Sequence, residues 1–149
     1  TGEIGLSAPW LGEREEELVL DTLRSGRLSL GPMTDRFEAA LAKRVGALYV
    51  AAVSSGTAGL HLAVRMAGLG EGDEVVTTPF SFVASANCIL YQGATPVFAD
   101  IDEHTLTLDV AQVAAKIGPH TKALLPVDVL VNRPRLRSWG SWRHGMSWS

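Results

Sequence analysis

The sequence is poor in the groups on which much protein chemistry depends. It has one cysteine, Cys88, so no disulfide can close within the chain, and a reducing cytoplasm is the expected setting. Of the four histidines, His104, His120 and His144 have no clustered partner, and a metal site therefore has no support. No apolar run approaches the roughly 20 residues that a membrane helix needs. The opening "TGEIGLSAPWLGEREEEL" lacks the basic then apolar order of a leader peptide. The formal net charge of −3 gives no electrostatic case for binding nucleic acid. What is present is a chain of 149 residues, 46% hydrophobic. That suffices for one domain with a real core and is too little for two large ones. A cytoplasmic α/β protein, not associated with membrane, is expected.

Two amphipathic helices are predicted first. "EREEELVLDTLRSG" carries acids at its start, Leu18, Leu20 and Leu23 within, and a glycine stop at Gly26. "MTDRFEAALAKRVG" spaces Phe37, Leu41 and Val45 by four, which places them on one helical face. From Ala47 the pattern alternates. "ALYVAAV", "DEVVTT", "TPVFAD" and "TKALLPV" read as strands. Thr57 to Gly68, "SFVASANCILYQG" and "DVAQVAAKIG" read as helices, the last capped by Asp109. Four strands alternating with three helices predict a three-layer α/β fold, a largely parallel sheet covered on both faces. Ligands of such sheets lie beyond the C-terminal strand ends. Ser54 to Thr57, Thr78 to Phe82 and Asp100 to Glu103 are all placed there.

The last twenty residues differ. From Leu130, "LVNRPRLRSWGSWRHGMSWS" has no acid, four arginines and three of the four tryptophans. It shows neither helical nor strand period. Residues 1–129 are therefore separated from an irregular basic and tryptophan-rich tail, 130–149.

Among possible sites, "SSGTAGL" (Ser54 to Leu60) comes first. Gly56 permits a tight turn, Ser55 and Thr57 offer hydroxyls, and the following amides are free at a helix start. An anion such as phosphate suits that place, although a plain helix cap uses the same residues. There is no Gly-Lys-Ser/Thr loop and no G-x-G-x-x-G, so the usual nucleotide motifs are absent. In "TTPFSFVASAN", Pro79 ends a strand and two aromatic rings follow. Phe80 is expected in the core, while Phe82 is open between the core and stacking on a flat heterocycle.

The stretch "SSGTAGLHLAVRMAGLGEGDEVVTTPFSFVASANCILYQGATPVFADID" resembles the DegT/DnrJ/EryC1/StrS aminotransferases, as do "SGRLSLGPMTDRFEAALAKRVGALYVAAVSSGT" upstream and "HTKALLPVDV" downstream. The likeness spans Ile4 to Val129, with several spaced blocks in order. It implies part of the fold-type I pyridoxal-phosphate architecture, the cofactor pyridoxal 5′-phosphate, and a homodimer. It also implies a nucleotide-linked keto sugar as substrate and glutamate or glutamine as amino donor. Carried over by position, Ser55, Gly56, Thr57 and Ala58 would surround the cofactor phosphate. Thr57 and Ala58 would hold it through amides and the Thr57 hydroxyl, and Gly56 would permit its close approach. Phe82 would stack on the pyridine. Gly26, Leu28 and Gly31 would lie near the substrate.

Transamination also needs a lysine that carries the cofactor and moves a proton, and a carboxylate at the pyridine nitrogen. In the family both motifs come after the strand that ends here near Val129, and neither is found. Lys43, Lys116 and Lys122, the only lysines, read as solvated surface residues. Asp100 and Asp102 read as turn residues, His61 as structural, and Cys88 as a small buried apolar residue. Asp128 ends a strand but does not match the position of the family's acid. The chain is therefore expected to be an aminotransferase shortened or frameshifted near Leu130, without turnover of its own. The alternatives are a non-catalytic binder of phosphate or nucleotide sugar, or an inactive remnant.

Overall fold

In the computed structural model, which describes residues 8–129, Gly12 opens the first helix, α1 (Glu13–Arg24). The Glu15 carboxylate accepts the Gly12 amide at 2.8 Å, and Glu13, Glu15 and Glu16 sit in the first turn, where the helix dipole favours negative charge. Gly26, at φ +67°, turns the chain away. The second helix, α2 (Pro32–Val45), starts with Pro32, whose missing amide costs nothing in a first turn. It ends at Gly46, left-handed at φ 70°, where a side chain would be strained. Neither helix buries a residue. Leu18, Val19, Leu23, Met33 and Phe37 instead line an open apolar hollow of about 590 Å³.

Among the described residues, the strand expected over residues 47–53 is not formed. That segment has no regular structure, and Leu48 and Tyr49 are 90% and 91% exposed. Its apolar, β-branched composition suits a sheet, but a strand needs a ladder partner. The described sheet does not include it.

The described residues fall into two compact units that divide between Ala52 and Val53. The second holds α3 (Gly56–Met66), β1 (Glu74–Thr77), α4 (Ala84–Leu90), β2 (Thr95–Phe98), α5 (Val110–Lys116) and β3 (Thr121–Leu124). The strand order is β2-β1-β3. All pairings are parallel, with Val76 opposite Val97 on one side and Leu124 on the other. Among the described residues, three strands therefore stand where four were expected.

Neighbouring residues of a strand point to opposite faces. Val75 accordingly packs with Val64 of α3 and with Cys88 and Ile89 of α4. Val76 packs with Ala99, Leu108 and Val113 of α5. Helices thus cover both faces, and the three-layer α/β expectation holds. Beyond the strand ends the Leu125 amide donates to the Val76 carbonyl at 2.8 Å. The Thr77 hydroxyl donates to the Leu125 carbonyl at 2.9 Å. Asp109 caps α5 as predicted, its Oδ1 accepting the amides of Ala111 and Gln112 at 2.7 and 3.3 Å. No helix among the described residues is long and apolar enough to cross a membrane. The expected tail, 130–149, lies outside the described residues.

Candidate functional site

Ser55 stands at the cap of α3 in extended conformation, at φ −164° and ψ 163°. Its Oγ accepts the Ala58 amide at 3.1 Å, and its carbonyl accepts the Gly59 amide at 3.1 Å. A helix leaves its first amides without internal partners. With Ala58 and Gly59 served, the amides of Gly56 and Thr57 have no hydrogen-bond partner among the described residues, at the positive end of an 11-residue helix. Ser55 and Gly56 are exposed and Thr57 is half-buried. A Cβ built on Gly56 would meet nothing within 4 Å. The packing of the described residues therefore does not require glycine there, and the helix start has room for a ligand. Ala58, expected to give its amide to the anion, gives it to Ser55.

Leu60 and Val64 of α3 pack on the sheet, and α3 reaches the start of β1 through residues 67–73. The start of α3 is thus directed to the side where β1 ends, the side on which ligands of parallel sheets bind. The aromatic residues follow β1 on that side. The Thr78 hydroxyl accepts the Phe80 amide at 3.1 Å, and the Ser81 amide donates to the Pro79 carbonyl at 2.9 Å. This tight turn keeps both rings out of the core. Phe82 is 76% exposed, and Phe80, expected inside, is 47% exposed.

Gly26, Leu28 and Gly31 belong to the first unit, whereas Ser55 to Ala58 and Phe82 belong to the second. Gly31 caps α2 and is buried. A Cβ there would stand 2.7 Å from the Arg27 carbonyl oxygen, so this glycine is required by the loop itself. Leu28 is 67% exposed.

The remaining candidates other than Asp128 take the structural places expected of them. Lys43, Lys116 and Lys122 are exposed. The Asp100 Oδ1 accepts the Ile101 amide at 2.8 Å. The Asp102 Oδ1 accepts the amides of His104 and Thr105, both at 2.9 Å. Those two amides, that of Thr105 most, hold the Asp102 carboxyl below the usual carboxylate range. The His61 ring meets Tyr91 edge-on at 5.3 Å, and its Nε2 bonds the Gln92 side chain. Cys88 is fully buried, and burial pushes its thiol up. Asp128, expected at a strand end, lies four residues past Leu124, where β3 ends, and is exposed. No group of three His, Cys, Asp or Glu residues among the described residues could hold a metal.

One contact had no sequence signal. The Ala52 amide donates to Oε1 of Glu38 at 2.7 Å, across 14 positions of chain. Helical periodicity says nothing about a bond between a helix and an irregular segment.

The model of the DegT/DnrJ/EryC1/StrS aminotransferase family matches residues 9–139. The chain belongs to this family. The DegT/DnrJ/EryC1/StrS aminotransferases depend on pyridoxal 5′-phosphate. The spore coat polysaccharide biosynthesis protein SpsC of Bacillus subtilis is 50% identical over 121 residues, which cover 81% of this chain and 31% of SpsC. The aminotransferase TlmJ of Streptoalloteichus hindustanus is 44% identical with a TM-score of 0.74, over 83% of this chain and 34% of TlmJ. NtdA of Bacillus subtilis, solved with bound cofactor PMP, is 29% identical with a TM-score of 0.81, over 92% of this chain and 33% of NtdA. The chain thus spans about a third of the length of these relatives. The likeness supports the part of the fold-type I architecture expected from the sequence.

Proposed function

We propose that this chain is the part of a sugar aminotransferase that grips the cofactor phosphate, in an enzyme acting on a nucleotide-linked keto sugar in the cytoplasm as a homodimer. Glutamate or glutamine is the amino donor. The observation that carries the reading is the pair of amides at Gly56 and Thr57 that open α3 without a partner among the described residues, beside the Ser55 cap.

The residues present suit pyridoxal 5′-phosphate. Two amides at a helix start that have no partner among the described residues, with the nearby Thr57 hydroxyl, match the acceptor oxygens of a phosphate. The open space in front of Gly56 admits it. The exposed Phe82 ring offers a flat apolar surface to a heterocycle. When bound, the cofactor supplies an electron sink and a carrier for the amino group. The residues of this chain do the binding and orienting. Gly56 and Thr57 donate to the phosphate, Ser55 holds the first turn in shape by accepting from Ala58, and Phe82 covers one ring face and excludes water from it. All three lysines of the chain are exposed, which supports reading them as solvated surface residues rather than as the group that moves the substrate proton. The chain alone therefore binds without turning over.

The test is to incubate the purified chain with pyridoxal 5′-phosphate, measure binding, and then reduce with borohydride. Saturable binding without a trapped lysine adduct is expected, together with no 2-oxoglutarate when glutamate and a keto-sugar nucleotide are added. No binding, or a single lysine trapped in stoichiometric yield, overturns the reading.

A further inference from the structure

We infer that the hollow between the end of α1 and the start of α2 is a binding site for a diphosphate group, held by the guanidinium groups of Arg27 and Arg36. It lies wholly within the first unit and shares no residue with the cofactor-phosphate site proposed above. Its volume is about 160 Å³. A water molecule takes about 30 Å³ in the liquid, so there is room for an oxyanion of several heavy atoms.

Arg27 stands in the loop that joins the two helices, and local bonds fix its backbone. The Ser25 hydroxyl donates to the Thr22 carbonyl at 2.7 Å and accepts the Arg27 amide at 3.1 Å. Leu30 is left-handed at φ 47°, a conformation that a leucine adopts only where its surroundings impose it. On the far side, Gly31 leaves no space for a Cβ beside the Arg27 carbonyl oxygen. The loop is thus drawn tightly around Arg27. Arg36 comes from the second turn of α2. Its Nη1 donates to the Met33 Sδ at 3.3 Å, which draws the guanidinium toward the start of that helix. A thioether is a weak acceptor, so most of the donor capacity of Arg36 is unspent. Neither arginine forms an ion pair among the described residues. The Asp21 carboxylate lines the same hollow and pairs with neither. Two cations against one anion leave the hollow positive. Guanidinium forks bind phosphate oxygens in pairs, and a diphosphate offers enough oxygens for two forks. Both side chains are exposed, so the attraction is sensitive to salt.

Free pyrophosphate and the diphosphate of a nucleotide share this chemistry. The test titrates the chain with pyrophosphate, UDP and uridine at low salt, and with pyridoxal 5′-phosphate as the measure of the second unit. Pyrophosphate should bind, and more weakly as salt rises. Arg27→Gln and Arg36→Gln should each weaken it roughly three- to tenfold and leave pyridoxal 5′-phosphate within about twofold. Arg36→Lys should fall between parent and Arg36→Gln, since it keeps the charge and loses the fork. Asp21→Asn should tighten pyrophosphate about twofold by removing a like charge, a gain that no loss of folding produces. UDP binding with uridine silent supports the inference and assigns the nucleotide as the source. Binding of pyrophosphate without UDP supports it and assigns the free diphosphate. The inference is overturned if the parent binds no pyrophosphate, or if both glutamine variants bind it as the parent does. Failure of the parent to bind pyridoxal 5′-phosphate overturns the cofactor-phosphate reading and leaves this one standing.

Discussion

The two units answer the same sequence signal in opposite ways. In the first, α1 and α2 have apolar faces at helical spacing and bury no residue. In the second, the helices α3, α4 and α5 lie on a sheet whose central residues Val75 and Val76 are 1% and 0% exposed. Amphipathic spacing states that a face needs cover. It does not state that the cover lies in the same stretch of chain. A period can be read locally, whereas burial requires a partner.

This contrast can be broken by mutation. Ile89, fully buried between α4 and the sheet, should cost about 2–5 kcal/mol as Ile89→Ala. Leu23, 57% exposed on α1, should cost less than about 0.5 kcal/mol as Leu23→Ala. Urea unfolding of both variants checks the pair, and equal costs would show that α1 is as well packed as α4. Next in size, Ser55→Ala and Asp109→Ala each remove a cap with observed amide bonds. Each should lower stability by about 1 kcal/mol. Only Ser55→Ala should also weaken pyridoxal 5′-phosphate, which separates a cap at the site from a cap away from it.

Two further outcomes are smaller or qualitative. The buried Cys88 thiol, with its ionisation pushed up, should resist disulfide reagents in the native chain and react once denaturant is added. Asp102 has a depressed carboxyl in the fold. Its contribution is therefore present above the unfolded carboxylate range and fades as the pH falls through the folded value. Asp102→Asn should lower stability slightly at neutral pH, and the difference from the parent should vanish as the pH falls through the folded value.

Much of the second unit was legible because its rules are local. The Asp109 cap, the turn acids Asp100 and Asp102 and the stop at Gly93, φ +76°, each depend on a few adjacent residues. The helix ends at Gly26 and Gly46 were legible for the same reason. Residues 47–53 misled because strand composition was taken to imply a strand, while the ladder that would complete it is not among the described residues. Phe80 misled because a large ring suggested core, and the Thr78 turn that faces it outward is a matter of hydrogen bonding rather than hydropathy. At the site, Ser55, Gly56 and Thr57 were visible as a motif. The transfer of the Ala58 amide to Ser55 was not, since one hydroxyl can cap a helix or leave its amides to a ligand. Glu38 was hidden by distance along the chain.

The strand order also bears on synthesis. β1 is made before both of its neighbours, and they reach it in turn, β2 first and then β3. As the nascent chain leaves the ribosome, the middle of the sheet waits with one side bare until residue 124 emerges. During that interval the bare edge can pair with another growing chain. Slower translation before Thr121 would lengthen the exposure, and a chaperone that holds extended segments would shorten its consequences.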